Sequence, residues 1–242
     1  MRPLSASAVI EVWERGVGQP AIERGLTLLA ACGEDREDDL AALSIGRREA
    51  RLAELHQRLF GDALHAYAEC PQCRERLEYS LSIRDLEMTG APDSGELSLS
   101  SGGIGLRLRP PNSADLIAAG RCETLEAARD LLARRCILGA EEQGRAVPVE
   151  MLPGSIVEGI AERLREADPR AETLIRLTCA ACRCQWQVAL DMERFLWAKV
   201  AALAKRLMRE VHVLARAYGW READILALSA ARRRFYLEMA GL

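Results

Sequence analysis

Cys70-Pro71-Gln72-Cys73 and, far downstream, Cys179-Ala180-Ala181-Cys182 are the two stretches on which the reading of this chain turns. After the first pair, Leu77, Tyr79, Leu81 and Ile83 alternate with polar residues; after the second, Trp186, Val188 and Leu190 do the same. Alternation with period two marks a half-buried strand, so each pair is expected on a tight turn between two strands. An acid follows each unit, Asp85 and Asp191, and a helix is expected after Asp191. The chain thus repeats one knuckle twice.

Two cysteines spaced in this way on a turn can aim both sulfurs at one ion, and zinc takes four thiolates in a tetrahedron. Neither pair closes such a site alone. Cys70, Cys73, Cys179 and Cys182 are therefore expected to meet around one structural Zn, with the residues between them inserted into a split zinc ribbon. Other readings remain open: two unrelated pairs of buried thiols, or a site that has lost its metal. A redox pair fits less well, because neither CxxC opens a helix. Cys184 could compete as a ligand, although its place in the outgoing strand suggests a spectator. Cys32, Cys122 and Cys136 are read as core thiols on helices.

The chain has 242 residues, 49% apolar and 29% charged, enough for a sizeable core. Its net charge of -3 supplies no field that would draw in nucleic acid or anionic lipid. Lys199 and Lys205 are the only lysines. No run approaches the roughly 20 apolar residues of a membrane-spanning helix, and the first residues reach Glu11 and Glu14 without a secretory core. Direct membrane insertion is not expected. Eight cysteines without an export signal suit metal ligation better than disulfides, and the cytoplasm is the expected compartment.

Outward from the knuckles the pattern is helical. The expected fold class is α+β, mainly α: a helical bundle with a split zinc ribbon of two CxxC β-hairpins and a long C-terminal helix. Residues 1–62 form an N-terminal helical region, with Leu52, Leu55, Leu59 and Phe60 as a stripe and Gly61 as its stop. Residues 63–88 hold the first knuckle. Residues 89–171 hold a strand (Ile104, Leu106, Leu108) and a helical insertion, with 89–103 read as a loop or weak hairpin and 139–149 as a polar loop. Leu125, Ala128, Leu131, Leu132, Cys136 and Ile137 should supply the buried face of one inserted helix. Residues 172–190 are the second knuckle. Residues 191–242 begin with a long helix whose seam is Leu196, Val200, Leu203, Leu207, Val211 and Leu214, stopped by Gly219; two short helices follow.

No catalytic constellation emerges. His56, between Glu54 and Arg58, reads as a solvated surface residue; His65 opens a knuckle strand near the expected metal; His212 sits on the long helix. There is no phosphate-binding glycine loop or nucleophile elbow, and an enzyme is not expected. The basic pairs and triplets, Arg134-Arg135 and Arg232-Arg233-Arg234, have acidic flanks and lack a broad cationic footprint. Trp220, Arg232, Arg233, Phe235 and Tyr236 instead have the composition of a protein interface, or of a small C-terminal core on the long helix. A zinc-ribbon nucleic-acid-binding or transcriptional adaptor is the alternative reading.

Several residues taken together resemble a known family. Ile45-Gly46-Arg47-Arg48-Glu49-Ala50, Phe60-Gly61 and Cys70-Pro71-Gln72-Cys73 resemble the opening half of the baseplate hub-assembly proteins of T-even-like contractile phage tails and of phage-tail-like contractile injection systems. Arg109-Pro110-Pro111-Asn112-Ser113-Ala114-Asp115-Leu116, the second CxxC and Phe195-Leu196-Trp197 continue the likeness. So do Ala217-Tyr218-Gly219-Trp220 and Arg232-Arg233-Arg234. Glu49 stands where Asp is usual, and Ala180-Ala181 replaces Pro-Ala; neither removes a ligand. The resemblance implies a non-enzymatic baseplate part or assembly factor whose partners are other baseplate, hub or spike proteins of a contractile injection particle.

Overall fold

The computed structural model describes residues 4–33, 35–86 and 95–241. Helices α1 (Ala6–Gly16), α2 (Ala21–Cys32), α3 (Glu37–Ala41) and α4 (Ile45–Phe60) open the chain. Ser5 and Ser44 cap α1 and α4 by accepting the backbone N–H of Ala8 and Arg47. Strands β1 (Ala63–Glu69) and β2 (Arg76–Ser82) form the first hairpin, followed by the single turn α5 (Ile83–Leu86). Strands β3 (Leu97–Ser101) and β4 (Ile104–Leu108), helices α6 (Ser113–Ala119) and α7 (Leu125–Arg135), strands β5 (Ile137–Glu142) and β6 (Arg145–Ala146) and helix α8 (Gly154–Ala167) make up the inserted part. Strands β7 (Leu174–Thr178) and β8 (Gln185–Ala189) form the second hairpin. Helix α9 (Met192–Tyr218) and the short α10 (Glu222–Ala227) and α11 (Ala230–Met239) end the chain. The fold is α+β and mainly α.

Apolar side chains collect in two clusters. In one, α1, α2 and α4 pack on the first half of α9 through Val9, Val12, Leu28, Leu52, Leu55, Leu196, Val200 and Ala204. In the other, α8 covers the inner face of the β3-β4-β5-β6 sheet through Leu97, Leu106, Leu108, Ala140, Ile156 and Ile160. Asp191 caps α9 by accepting the N–H of Arg194, and Gly219, at φ +68°, ends it in the left-handed conformation expected of that position. Among the described residues no helix is long and apolar enough to cross a membrane.

The two clusters are joined where Ile45-Gly46-Arg47-Arg48 meets Pro111-Asn112-Ser113 and the end of α8. The Ile45 N–H donates to Pro111 O at 3.1 Å, and Arg48 Nη1 donates to Ser113 Oγ at 3.2 Å. Asp168, 1% exposed, accepts the N–H of Gly46 at 2.9 Å and so caps α4 from the far end of α8. A Cβ on residue 46 would lie 1.9 Å from Asp168 Oδ1, so only glycine permits this approach. Beside it, the fully buried Asp115 is held by Arg109 (Nη1 to Oδ2, 2.6 Å), by Arg135 (Nε to Oδ1, 2.8 Å) and by the N–H of Asn112. Asn112 caps α6 in return, a reciprocal capping box.

Several expectations are corrected. The stretch 139–149 is not a loop: β5 and β6 form a hairpin there, because the backbone of residues 137–142 pairs with β4. Within 89–103 the hairpin alternative holds, with Leu97–Ser101 a strand of the β3–β4 hairpin, while residues 87–94 lie outside the described ones. Helix α7 buries Ala133, with Cys136 and Ile137 beyond its end; Leu125 is 69% exposed, and Ala128, Leu131 and Leu132 are only half-buried. His56 is not at the surface but fully buried, one turn after Leu52 on the stripe of α4. Its Nδ1–H donates to Gly61 O at 3.2 Å. Cys122 lies in the turn after α6, half-exposed, and not in a core.

Gly46→Ala should destabilise the protein by about 2 kcal/mol or more, the usual cost of overpacking. Gly159→Ala, in α8 with nothing within 4 Å of its Cβ, should gain about 0.5–1 kcal/mol; denaturant unfolding of both variants measures the contrast. Burial opposes ionisation of Asp115, but Arg109, Asn112 and Arg135 outweigh it and hold the carboxyl below its ordinary 3.8. Its contribution to stability is therefore present above that value and lost as pH falls through the lower, folded one. Asp115→Asn should cost about 3 kcal/mol at neutral pH, and the loss should shrink in acid; melts from pH 7 to pH 3 read this directly.

Candidate metal centre

Each knuckle is built the same way from the backbone up. In the first, the Cys70 N–H donates to Glu75 O at 2.9 Å and the Arg74 N–H to Cys70 O at 3.0 Å. In the second, the Cys179 N–H donates to Cys184 O at 2.9 Å and the Arg183 N–H to Cys179 O at 3.1 Å. Arg74 and Arg183 hold the turns closed at φ +65° and +63°, a conformation that usually favours glycine. Glu75 and Cys184 thus occupy matching positions, as do Arg74 and Arg183. The common offset after each second cysteine is the sequence signal for these two arginines, and the sequence reading passed over it.

The turns bring the four cysteines together. Their Sγ atoms all lie within 4.8 Å of one another, with Cys70 to Cys182 and Cys73 to Cys179 both at 3.6 Å. A disulfide would need about 2.05 Å, so these are separate thiols. A tetrahedron of sulfurs about 2.3 Å from a central cation has edges of about 3.8 Å. The cage therefore fits a thiolate-bound cation with little adjustment. Cys70 and Cys179 are fully buried, Cys182 is half-buried and Cys73 faces solvent.

The electrostatics of the bare cage point the same way. Burial opposes ionisation of Cys70, but the backbone N–H groups of Cys73 and Gln72 and the neighbouring thiols bring it down to about 6. The Glu75 N–H favours the thiolate of Cys73, yet its contacts with Cys182 and Cys179, together with burial, push it up to about 12. One negative charge is welcome in the cage and further ones repel it. A central divalent cation removes that conflict.

The remaining candidate residues lie elsewhere. His65 Nδ1 is 2.9 Å from Ser80 Oγ across the first hairpin, outside the sulfur cluster. His212 is exposed on α9. At the C-terminus, Trp220 and Tyr236 pack edge to face at 4.9 Å, Tyr218 stacks on Trp220, and the buried Arg233 donates to Glu210 Oε2 at 2.8 Å. Trp220, Arg233 and Tyr236 thus fasten α11 to the end of α9. Phe235, 59% exposed, and Arg232 face solvent, with Met239 beside Phe235 on the same helix face.

Thiol chemistry separates these cysteines. Burial pushes Cys32 up to about 11 and Cys136 up to about 12. With iodoacetamide at pH 7.5, Cys122 should be alkylated in the native protein, whereas Cys32 and Cys136 should react only on unfolding, as read by peptide mass spectrometry.

One family model, described as T4 bacteriophage base plate protein, matches residues 21–197 and so includes both cysteine pairs and the glycine–aspartate junction. No curated protein and no solved structure is significantly similar to the chain. Matched over well more than half its length, the chain belongs to the T4 bacteriophage base plate protein family.

Proposed function

We propose that the chain is a non-enzymatic structural or assembly protein of a contractile, phage-tail-like baseplate, stapled by one zinc ion and serving hub assembly. The observation that carries this reading is the family match, with all four clustered cysteines inside it. Zinc is the natural occupant of a closed four-thiolate cage, because it prefers a sulfur tetrahedron and brings no redox chemistry. Cys70, Cys73, Cys179 and Cys182 would hold it. The metal leaves no open coordination position for a substrate, which supports a structural role.

The segments 63–88 and 172–190 are then the halves of one ribbon, with 89–171 inserted between them. The rest of the chain, 1–62 and 191–242, supplies the helices on which the ribbon stands. Other baseplate, hub or spike subunits are the expected partners. The exposed Phe235 and Arg232 on α11 are the strongest docking candidates, since Arg beside an aromatic ring is typical of interface anchors. Trp220, Arg233 and Tyr236 support that surface from beneath. Assembly would take place in the bacterial cytoplasm and leave the protein within the particle or its precursor.

Metal analysis of the purified protein should give one zinc per chain. Chelation should lower the melting temperature, because binding energy at such a site is folding energy. Cys70→Ser and Cys179→Ser should lose the metal and destabilise the fold, while Cys122→Ser should keep both. Co-expression with the baseplate, spike and tube proteins of the same particle should yield a stable complex that Phe235→Asp weakens. A zinc-free protein that binds none of them, or one that shifts DNA at moderate salt, would refute the proposal.

A further inference from the structure

Ala231, Arg232, Phe235, Glu238 and Met239 are all exposed on the outward side of α11. At roughly 100° per residue, Arg232 and Glu238 lie about 60° to either side of Phe235, and Ala231 and Met239 about 40° to either side. Arg234, about 100° round, stands off this face. The face is therefore symmetric about Phe235 in position and complementary in character. A cation three residues before the ring answers an anion three residues after it, and a small side chain answers a large one at four. Among the described residues neither the Arg232 guanidinium nor the Glu238 carboxylate has an ion-pair partner, whereas the buried Arg233 is paired with Glu210.

Two such faces fit each other about a two-fold axis. When two helices pack antiparallel with Phe235 against Phe235, each residue stands level with the one equally far beyond the ring on the other helix. Arg232 is then level with Glu238 of the second copy, and Ala231 with its Met239, twice over. A parallel pairing would set Arg232 against Arg232 and Glu238 against Glu238, so charge selects the antiparallel one. The surface is also held ready. Arg233 bound to Glu210, and Tyr236 packed on Tyr218 and Trp220, fix α11 against the end of α9, so little ordering is lost on contact.

Resting on the reading that this end docks protein, we propose that the α11 face pairs with a second copy of the chain, in an isologous antiparallel dimer with Phe235 at its axis. Helix α11 has 10 residues, a length of about 15 Å. The seam is thus small beside a standard interface, and the dimer is a weak, reversible one. Inside a particle, where neighbouring subunits raise the local concentration, even a weak pairing is populated.

Sedimentation equilibrium of the purified full chain, from about 5 to 500 μM with zinc present, tests this. Wild type should behave as a reversible monomer–dimer mixture. Phe235→Asp, Arg232→Glu and Glu238→Arg should each weaken the dimer at least about tenfold. Joining Arg232→Glu and Glu238→Arg in one chain should restore at least about fivefold over either single variant, and mixing the two single variants should give a heterodimer of similar strength. Circular dichroism melts check that each variant is folded. A wild type that stays monomeric throughout overturns the pairing and leaves the baseplate reading standing; if Phe235→Asp then still weakens the baseplate complex, another subunit covers α11. A dimer that all three variants leave intact also overturns it, because the contact then lies elsewhere, and failure of both the joined variant and the mixture overturns the antiparallel register. A dimer that obeys these rules but joins no baseplate, spike or tube protein keeps the pairing and removes the baseplate reading.

Discussion

Four sulfur atoms from two turns, separated by more than a hundred residues, converge within a sphere that one cation can fill. This convergence sets the topology. It requires the chain to leave the first hairpin, build a complete sheet-and-helix unit with its own core, and return to within bonding range of its starting point. Closing so long a loop costs entropy that grows only slowly with length. A single strong crosslink can therefore support an insertion of this size, and each hairpin alone would be marginal in water.

The sulfur cluster does not act unaided. The Arg109–Asp115–Arg135 cluster braces the inserted unit from within, while the Gly46–Asp168 and Arg48–Ser113 contacts tie that unit to α4. These are buried polar contacts with demanding geometry, of the kind that favours one arrangement over its neighbours. His56 adds to the same helix: its Nδ1–H is satisfied by Gly61 O, and its Nε2 is buried without a partner among the described residues. Burial holds this imidazole below its ordinary 6.5, with Lys199 acting in the same sense and the Gly61 carbonyl against, so it remains neutral in the folded protein at physiological pH.

Much of this was legible in the residues. The twin knuckles and the Gly219 stop of α9 each follow from local chemistry, and local chemistry is what a sequence displays. Strand β5 was hidden because Ile137-Leu138-Gly139-Ala140-Glu141-Glu142 does not alternate. Its strand character comes from pairing with β4, and Gly139 leaves room for the Arg107 guanidinium, which a Cβ would approach to 3.1 Å. The face of α7 was overread: spacing shows that a stripe exists but not that anything lies against it. His56 was underread, since charged neighbours in sequence point to other faces of the helix, whereas Leu52 and Leu55 share its own.

Helix α9 begins inside the segment that the family model matches and runs well past its end. Its 27 residues make a rod of about 40 Å, clamped at one end by the core and carrying α10 and α11 at the other. In such a rod, angular phase is inherited without slack. One residue inserted between Ala204 and Leu214 would swing the terminal pair by about 100° around the axis and pull α10 away from α1, against which it packs. This end of the protein is thus keyed to its foundation: the length of α9 cannot change without a matching change where α10 meets α1.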